Sequence, residues 1–274
     1  MFYRNKPLLL SCLLLSVSTL SHAQSPSGFY DLDFSGNVQA TNGNQATLGP
    51  FYDGTTLDFV NVSPTSGESI DLRTTVTTQG DYFFYGSFPD YSTATGEPDG
   101  DLGYVYGANS AGTGGINYQL DFFQGGGTFS DSLALNDFRL MIYDVDGEDI
   151  QSESVIVDTA DGFYGYQLPT SNDVAIVDIG GGKFRFTGPG VNRPETDPSA
   201  AVILFFRNTS TINLTMESTT SGETFPNYVF SAIDGDLSLL GNTPQDFGSF
   251  TAVPEVSTTL LGCLGSLLLM RRRR

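Results

Sequence analysis

Residues 116–123 read INYQLDFF, and this short stretch shows the pattern from which the fold class is predicted. Ile116, Tyr118, Leu120 and Phe122 are apolar, and Asn, Gln and Asp stand between them. Successive side chains of an extended strand point to opposite faces, so this alternation makes one face apolar and the other polar. An amphipathic helix would instead repeat its apolar residues three and four positions apart. The stretch therefore predicts a β-strand that is buried on one side.

The same alternation recurs along the chain in short runs. Similar runs occupy residues 57–62, 69–76, 81–88, 138–145, 153–158, 173–179, 183–186, 201–206 and 211–217. Clusters of turn-forming Gly, Asn, Asp, Pro and Ser separate them. We predict an all-β fold, a single antiparallel β-sandwich or jelly-roll-like domain. Two strongly apolar runs, VILFF at 202–206 and LMIYDV at 140–145, are expected to be its central strands.

The N-terminal residues predict export. Arg4 and Lys6 precede a leucine-rich run over residues 8–20, and Ser-His-Ala at 21–23 places small residues at the positions that determine cleavage. This is the pattern of a secretory signal peptide. We therefore expect residues 1–23 to be removed and the mature body to act outside the cytoplasm.

The C-terminal residues predict a membrane anchor. A short apolar run over residues 256–270 is followed by four arginines, Arg271, Arg272, Arg273 and Arg274. A membrane span usually takes about 20 apolar residues, so this run needs flanking residues to cross a bilayer. Cationic flanks stay on the cytoplasmic side. We expect a short transmembrane helix in the inner membrane, with its C-terminus in the cytoplasm and the body outside.

Together with Pro254 and Glu255, the apolar run and the arginine cluster resemble the PEP-CTERM sorting signal, here over residues 253–274. The resemblance implies that an exosortase, a membrane enzyme, cuts near the Pro-Glu pair. It also implies that the anchor is transient and that the body passes to the cell surface or its extracellular polysaccharide. The family usually has proline where this chain has Val256. An ordinary C-terminal membrane anchor is the alternative interpretation.

The predicted body, residues 24–252, is long enough for one well-packed all-β domain. It contains no histidine and no cysteine, because His22, Cys12 and Cys263 all lie in the terminal segments. A Ser-His-Asp triad, a Cys-His nucleophile pair, a His/Cys zinc site and a disulfide are therefore excluded from the body.

The charge of the body also limits its partners. Thirty acidic residues stand against six basic ones, which gives a formal charge of −24. Phosphate binding needs clustered Lys and Arg, so nucleic acid is not an expected partner. Self-repulsion of this size is relieved by salt or by divalent cations.

One acidic turn suits a metal ion. The chain leaves the strand run at 138–145 and re-enters a strand, carrying Asp144, Asp146, Glu148 and Glu153. Calcium prefers oxygen ligands, so we predict a calcium site here, with a metal-free acidic hairpin as the alternative. A strand that runs into Tyr-Asp-Val-Asp and is followed by Glu also resembles secreted bacterial β-sandwich modules.

Tyrosines gather around one polar loop, namely Tyr82, Tyr85, Tyr91, Tyr104 and Tyr106. Rigid amphipathic rings on a sheet face are suited to stacking against sugars, so we predict a carbohydrate-binding platform. The alternative is that these alternating aromatic residues belong to the core. The chain has no Trp, whose ring is the largest stacking face.

Two functions remain open at this point. The first is a non-catalytic surface or matrix protein that is exported and associates with extracellular polysaccharide, with calcium as the one cofactor that the sequence suggests. The second is a secreted polysaccharide-degrading enzyme that uses two carboxylates, a chemistry that needs no His or Cys. For this enzyme, Asp144 or Asp146 together with Glu153 is the first pair to test.

Overall fold

The structure, a computed structural model, describes residues 28–29, 31–34, 38–39, 54–62, 69–89, 101–148, 150–194, 197–221, 227–234 and 247–253. The predicted signal peptide, Tyr91 and residues 254–274 of the predicted sorting signal lie outside these ranges. Within the described ranges, no helix has the length and apolar character that a membrane crossing requires.

The described residues form sixteen strands and two single-turn 3-10 helices. The first eight strands are β1 Val38–Gln39, β2 Thr55–Phe59, β3 Ile70–Gln79, β4 Tyr82–Pro89, β5 Asp101–Ala108, β6 Gly112–Gln124, β7 Leu135–Tyr143 and β8 Gly147–Glu148. The others are β9 Gln151–Asp158, β10 Phe163–Gln167, β11 Ala175–Gly180, β12 Lys183–Thr187, β13 Val202–Thr209, β14 Thr211–Thr220, β15 Asn227–Asp234 and β16 Thr251–Ala252. The 3-10 turns are Thr159–Asp161 and Pro198–Ala200.

The strands form two antiparallel sheets that pack as a sandwich. Sheet 1 has the order β1-β2-β3-β6-β14-β9-β12-β11, with β8 paired to β9. Sheet 2 has the order β16-β10-β13-β7-β15-β5-β4. The prediction of an all-β antiparallel sandwich is therefore confirmed. The core between the sheets contains apolar side chains from both of them.

The stretch INYQLDFF lies in β6, near the middle of sheet 1, and its alternation has the predicted effect. Its apolar side chains at 116, 118, 120 and 122 are fully buried in the core. Met216 and Ile212 of β14 lie opposite Ile116 and Leu120. Leu72 of β3 lies opposite Phe122. Facing apolar residues on three neighbouring strands fix this register, because a shift by one residue would turn every apolar side chain to water.

The two strongly apolar runs are central strands, as predicted. They lie in β13 and β7, which pair in the interior of sheet 2. Leu204 and Phe206 point into the core between the sheets. Ile203 and Phe205 point the other way, into a second apolar cluster. Phe29, Phe247 and Phe250 belong to or pack against that second cluster, so both faces of β13 are covered. Burial on both faces explains why these runs lack the polar alternation of β6.

Candidate functional site

The predicted calcium turn begins where β7 ends. Asp144 has a φ of +60°, which takes the chain out of the extended conformation directly after Tyr143. The Asp146 side chain is buried, and its carboxylate accepts hydrogen bonds from the backbone N–H groups of Gly147 and Arg193. Gly147 has a φ of +111°, a conformation that favours glycine. Asp146 therefore ties this turn to the loop that follows β12, through the backbone of Arg193.

The other predicted ligands point in different directions. Glu148 is exposed on the short strand β8. Glu153 lies on β9 with Val155 and Val157, and it is only 4% exposed because it faces the core between the sheets. Within the described part of the chain, no group of three or more His, Cys, Asp or Glu side chains is arranged to hold a metal ion. Calcium binding at this turn would therefore require these side chains to move, and it stays a prediction.

The Glu153 carboxyl group is poorly compensated in the interior. Its Oε1 atom accepts a hydrogen bond of 3.2 Å from the Gln151 side-chain amide. Its Oε2 atom, and the buried hydroxyl of Ser218 directly opposite on β14, have no hydrogen-bond partner among the described residues. Burial raises the pKa of Glu153 well above its usual range, and the charges of Asp146 and Asp144 raise it further, although hydrogen bonds from the Asp146 backbone and the Gln151 side chain oppose the shift. The fold thus favours the neutral form of this carboxyl group.

Asp146→Ala is expected to lower the free energy of unfolding by roughly 2–4 kcal/mol, because two backbone N–H groups lose a charged acceptor. Since this loss needs no metal, the destabilisation should be the same in EDTA and in millimolar calcium. Chemical unfolding of the wild type and the variant in both buffers measures it. A destabilisation that appears in calcium and disappears in EDTA would contradict this expectation and would support the calcium site.

The predicted tyrosine platform lies largely inside the protein. Tyr82, Tyr104 and Tyr106 are buried between the sheets, and Tyr85 is half-buried. The Tyr82 hydroxyl donates to the Ser218 carbonyl oxygen at 2.8 Å, and Tyr104 stacks on Tyr118 at a ring distance of 5.6 Å. Burial raises the pKa of the Tyr104 and Tyr106 hydroxyls well above the usual range. The rings of Tyr82, Tyr104 and Tyr106 therefore belong to the core and cannot present a face to a sugar. A role of Tyr85 and Tyr91 in carbohydrate binding stays a prediction.

A pocket that the sequence did not reveal lies where β9 separates from β14. β14 pairs with β9 only from Thr215, opposite Ile156, to Thr220. The preceding residues of β14 pair with β6 alone, because Val157 and Asp158 at the end of β9 pair only with β12 before the chain enters the 3-10 turn. The notch left in sheet 1 is a cavity of about 230 Å³. We call it the β9–β14 pocket, and it is lined by Asn117, Ile156, Val157, Asp158, Asp161, Lys183, Asn213 and Thr215.

A chain of hydrogen bonds orients the polar side chains of this pocket. The Thr215 hydroxyl donates to Asn117 Oδ1 at 3.3 Å, and Asn117 Nδ2 donates to Asn213 Oδ1 at 3.4 Å. Asn213 Nδ2 and the Asn213 backbone N–H both donate to Asp161 Oδ2 at 3.1 Å. Asp161 thus replaces the strand partner that β14 lacks at Asn213. The polar groups are held on strands and a turn rather than on a long loop, so they are preorganised.

The pocket contains two carboxylates and one ammonium group. Burial raises the pKa of Asp161 above its usual range, although the two hydrogen bonds from Asn213 oppose the shift. Asp158 caps the 3-10 turn by accepting the Ala160 N–H through Oδ1 at 2.9 Å. Its Oδ2 atom lies 4.0 Å from Lys183 Nζ, and the lysine is largely exposed. The pocket is therefore polar, with a formal charge of about −1.

Comparisons with known proteins place the chain in no family. No protein-family model matches it, and no curated protein matches it. Among solved structures it is similar to the N-terminal domain of the Streptococcus gordonii adhesin Sgo0707, with 8% sequence identity and a TM-score of 0.44. The match covers 75% of this chain and 56% of that one, so the chain spans little more than half of its structural neighbour.

Proposed function

We propose that the protein is an exported, non-catalytic protein of the cell surface or extracellular matrix that associates with extracellular polysaccharide. The β9–β14 pocket carries the polysaccharide part of this proposal. It presents amide, hydroxyl and carboxylate groups from a rigid sheet, and these are the groups that hydrogen-bond sugars. Its volume of about 230 Å³ is smaller than that of a site for a drug-sized ligand, so it fits one sugar unit of a longer chain.

The terminal segments support the sorting part of the proposal. The signal-peptide pattern supports export, and Pro254, Glu255 and the four arginines support transient anchoring in the inner membrane. An exosortase-like processing enzyme is the partner that this route requires. The neighbouring adhesin domain contributes nothing to the proposal, because the structural similarity is too low.

A second candidate function is a carboxylate-dependent enzyme, and one observation favours it. Asp158 and Asp161 line the same pocket, and the raised pKa of Asp161 is typical of a general acid. Both carboxylates already have structural roles, because Asp158 caps the 3-10 turn and Asp161 replaces the strand partner that β14 lacks at Asn213. Glu153, by contrast, faces the core and is separated from any solvent-filled cleft that it could share with Asp144 or Asp146.

Fractionation of the native host tests the proposal. We expect the mature protein to be recovered with the extracellular polysaccharide, and mass spectrometry of its C-terminus to end near Glu255. A peptide that runs intact through Arg274 would overturn the sorting route, and recovery from the cytoplasm would overturn export. Release of reducing ends from that polysaccharide by the purified protein, abolished by Asp161→Asn, would favour the enzyme.

A further inference from the structure

We infer that the β9–β14 pocket binds a neutral sugar ring through adjacent hydroxyl groups, and that it selects against acidic sugars. This inference rests on the proposed function, because it names the ligand of the same surface. The inference concerns binding at this pocket alone. Fractionation of the host tests whether the protein associates with polysaccharide through any part of its surface.

The hydrogen-bonding groups of the pocket match neighbouring hydroxyls. A sugar hydroxyl both donates and accepts, an ionised carboxylate only accepts, and a side-chain amide does both. Both hydrogen bonds from Asn213 end on Asp161 Oδ2, so the Oδ1 atom can accept from a ligand. Asn117 and Asn213 each use one of their two amide N–H bonds in the chain described above, and the second can donate. An acceptor beside two donors suits two adjacent hydroxyls on one ring.

The charge of the pocket and its surroundings disfavours an anionic ligand. The cations on this part of sheet 1 already have carboxylate partners, Lys183 with Asp158 and Arg185 with Glu217. The Arg185–Glu217 distance is 3.0 Å. A uronate or sulfate group would therefore meet a net negative pocket on a body with a formal charge of −24. A neutral sugar meets no such repulsion.

The pocket offers edge contacts rather than ring stacking. Its lining includes no aromatic residue, and Ile156 supplies its apolar wall on the outer face of β9. A few hydrogen bonds of ordinary net strength give dissociation constants on the order of millimolar for one sugar unit. Strong retention on a polysaccharide would then come from repeated sugar units that offer many equivalent sites.

Affinity electrophoresis of the full chain tests the inference, since the acidic protein migrates rapidly in a native gel. The gels contain a neutral polysaccharide, dextran or galactomannan, or the uronate polymer alginate. We expect retardation by at least one neutral polymer and none by alginate. Asn213→Ala should weaken the neutral interaction about tenfold, because it removes ligand contacts and the support of Asp161.

Two further variants make the test specific. Lys183→Ala should weaken neutral binding by less than about threefold, whereas an acidic ligand would depend strongly on this cation. Thr219→Ala is the matched control, because it removes one side-chain hydrogen bond at the far end of the same strand. A thermal melt verifies that each variant is folded. If Asn213→Ala does not fold, Asp161→Asn replaces it, and about tenfold weaker neutral binding is again expected.

The outcomes separate the inference from the proposed function. Binding to alginate that is lost in Lys183→Ala would overturn neutral selectivity and leave polysaccharide association standing. Neutral binding unchanged in Asn213→Ala, or in Asp161→Asn where that variant replaces it, would overturn the assignment of this pocket. A protein that binds none of the three polymers and is also recovered from the host free of polysaccharide is the remaining outcome. This result would overturn both the inference and the proposed function.

Discussion

Glu153→Gln is expected to raise the free energy of unfolding at pH 8 and to change it little at pH 4. The folded protein raises the pKa of this carboxyl group well above its usual value near 4.5. Between that value and the folded pKa, the folded state keeps a proton that the unfolded state has released. The stability of the wild type therefore falls as pH rises, by up to about 1.4 kcal/mol per pH unit from this one group. Glutamine at 153 cannot ionise and removes that contribution.

Chemical unfolding of the wild type and of Glu153→Gln at several pH values between 4 and 8 measures this effect. The quantity of interest is the difference in unfolding free energy, because most other titrating groups cancel in it. Glu148→Gln is the matched control, since it makes the same change at an exposed position of the same acidic turn. A Glu153→Gln difference that is constant over the whole pH range would show that the buried carboxyl is not held neutral.

Phe206→Ala is expected to lower the free energy of unfolding by about 3–5 kcal/mol. Phe206 is 1% exposed and lies on β13, in the interior of sheet 2. Its ring stacks on Phe138 at 5.3 Å and contacts Phe163 at 5.9 Å, so truncation leaves a cavity bordered by aromatic rings. Folded domains are stable by only about 5–15 kcal/mol, so this single change removes a large share of the total.

Denaturant unfolding of Phe206→Ala measures that loss, with Val177→Ala as the control. Val177 is an apolar strand residue that is 51% exposed, and its truncation should change the stability by less than about 0.5 kcal/mol. A loss below about 1 kcal/mol at Phe206 would mean that the β7–β13 region is not packed as described.

The strands of the core were predictable from the sequence because alternation directly records which face of a strand is buried. INYQLDFF and the run at 202–206 both lie where their patterns indicate. The tyrosines were ambiguous, because an aromatic residue alternates in the same way whether its face meets the core or a ligand. Tyr82, Tyr104 and Tyr106 proved to be core residues.

Glu153 and the β9–β14 pocket show two different limits of what can be predicted from the sequence. Glu153 has the same parity as Val155 and Val157 on β9, so the alternation indicates the core face, although Glu153 was predicted to be a calcium ligand. The β9–β14 pocket could not be found in this way, because it depends on where β9 stops pairing with a strand more than fifty residues later. The local clue was an Asp158-Thr-Ala-Asp161-Gly sequence, which is typical of a capped turn but does not indicate a ligand.

The most direct test of the glycan site is a methyl NMR titration of the isoleucine-labelled full chain with a neutral oligosaccharide. Ile156 lines the β9–β14 pocket, Ile212 is buried in the core, and Ile176 and Ile179 lie on β11, which contributes no residue to the pocket lining. We expect a saturable shift of the Ile156 signal and no shift of the other three. Shifts confined to Ile176 and Ile179, or no shift of Ile156 at saturating sugar, would contradict glycan binding at this pocket.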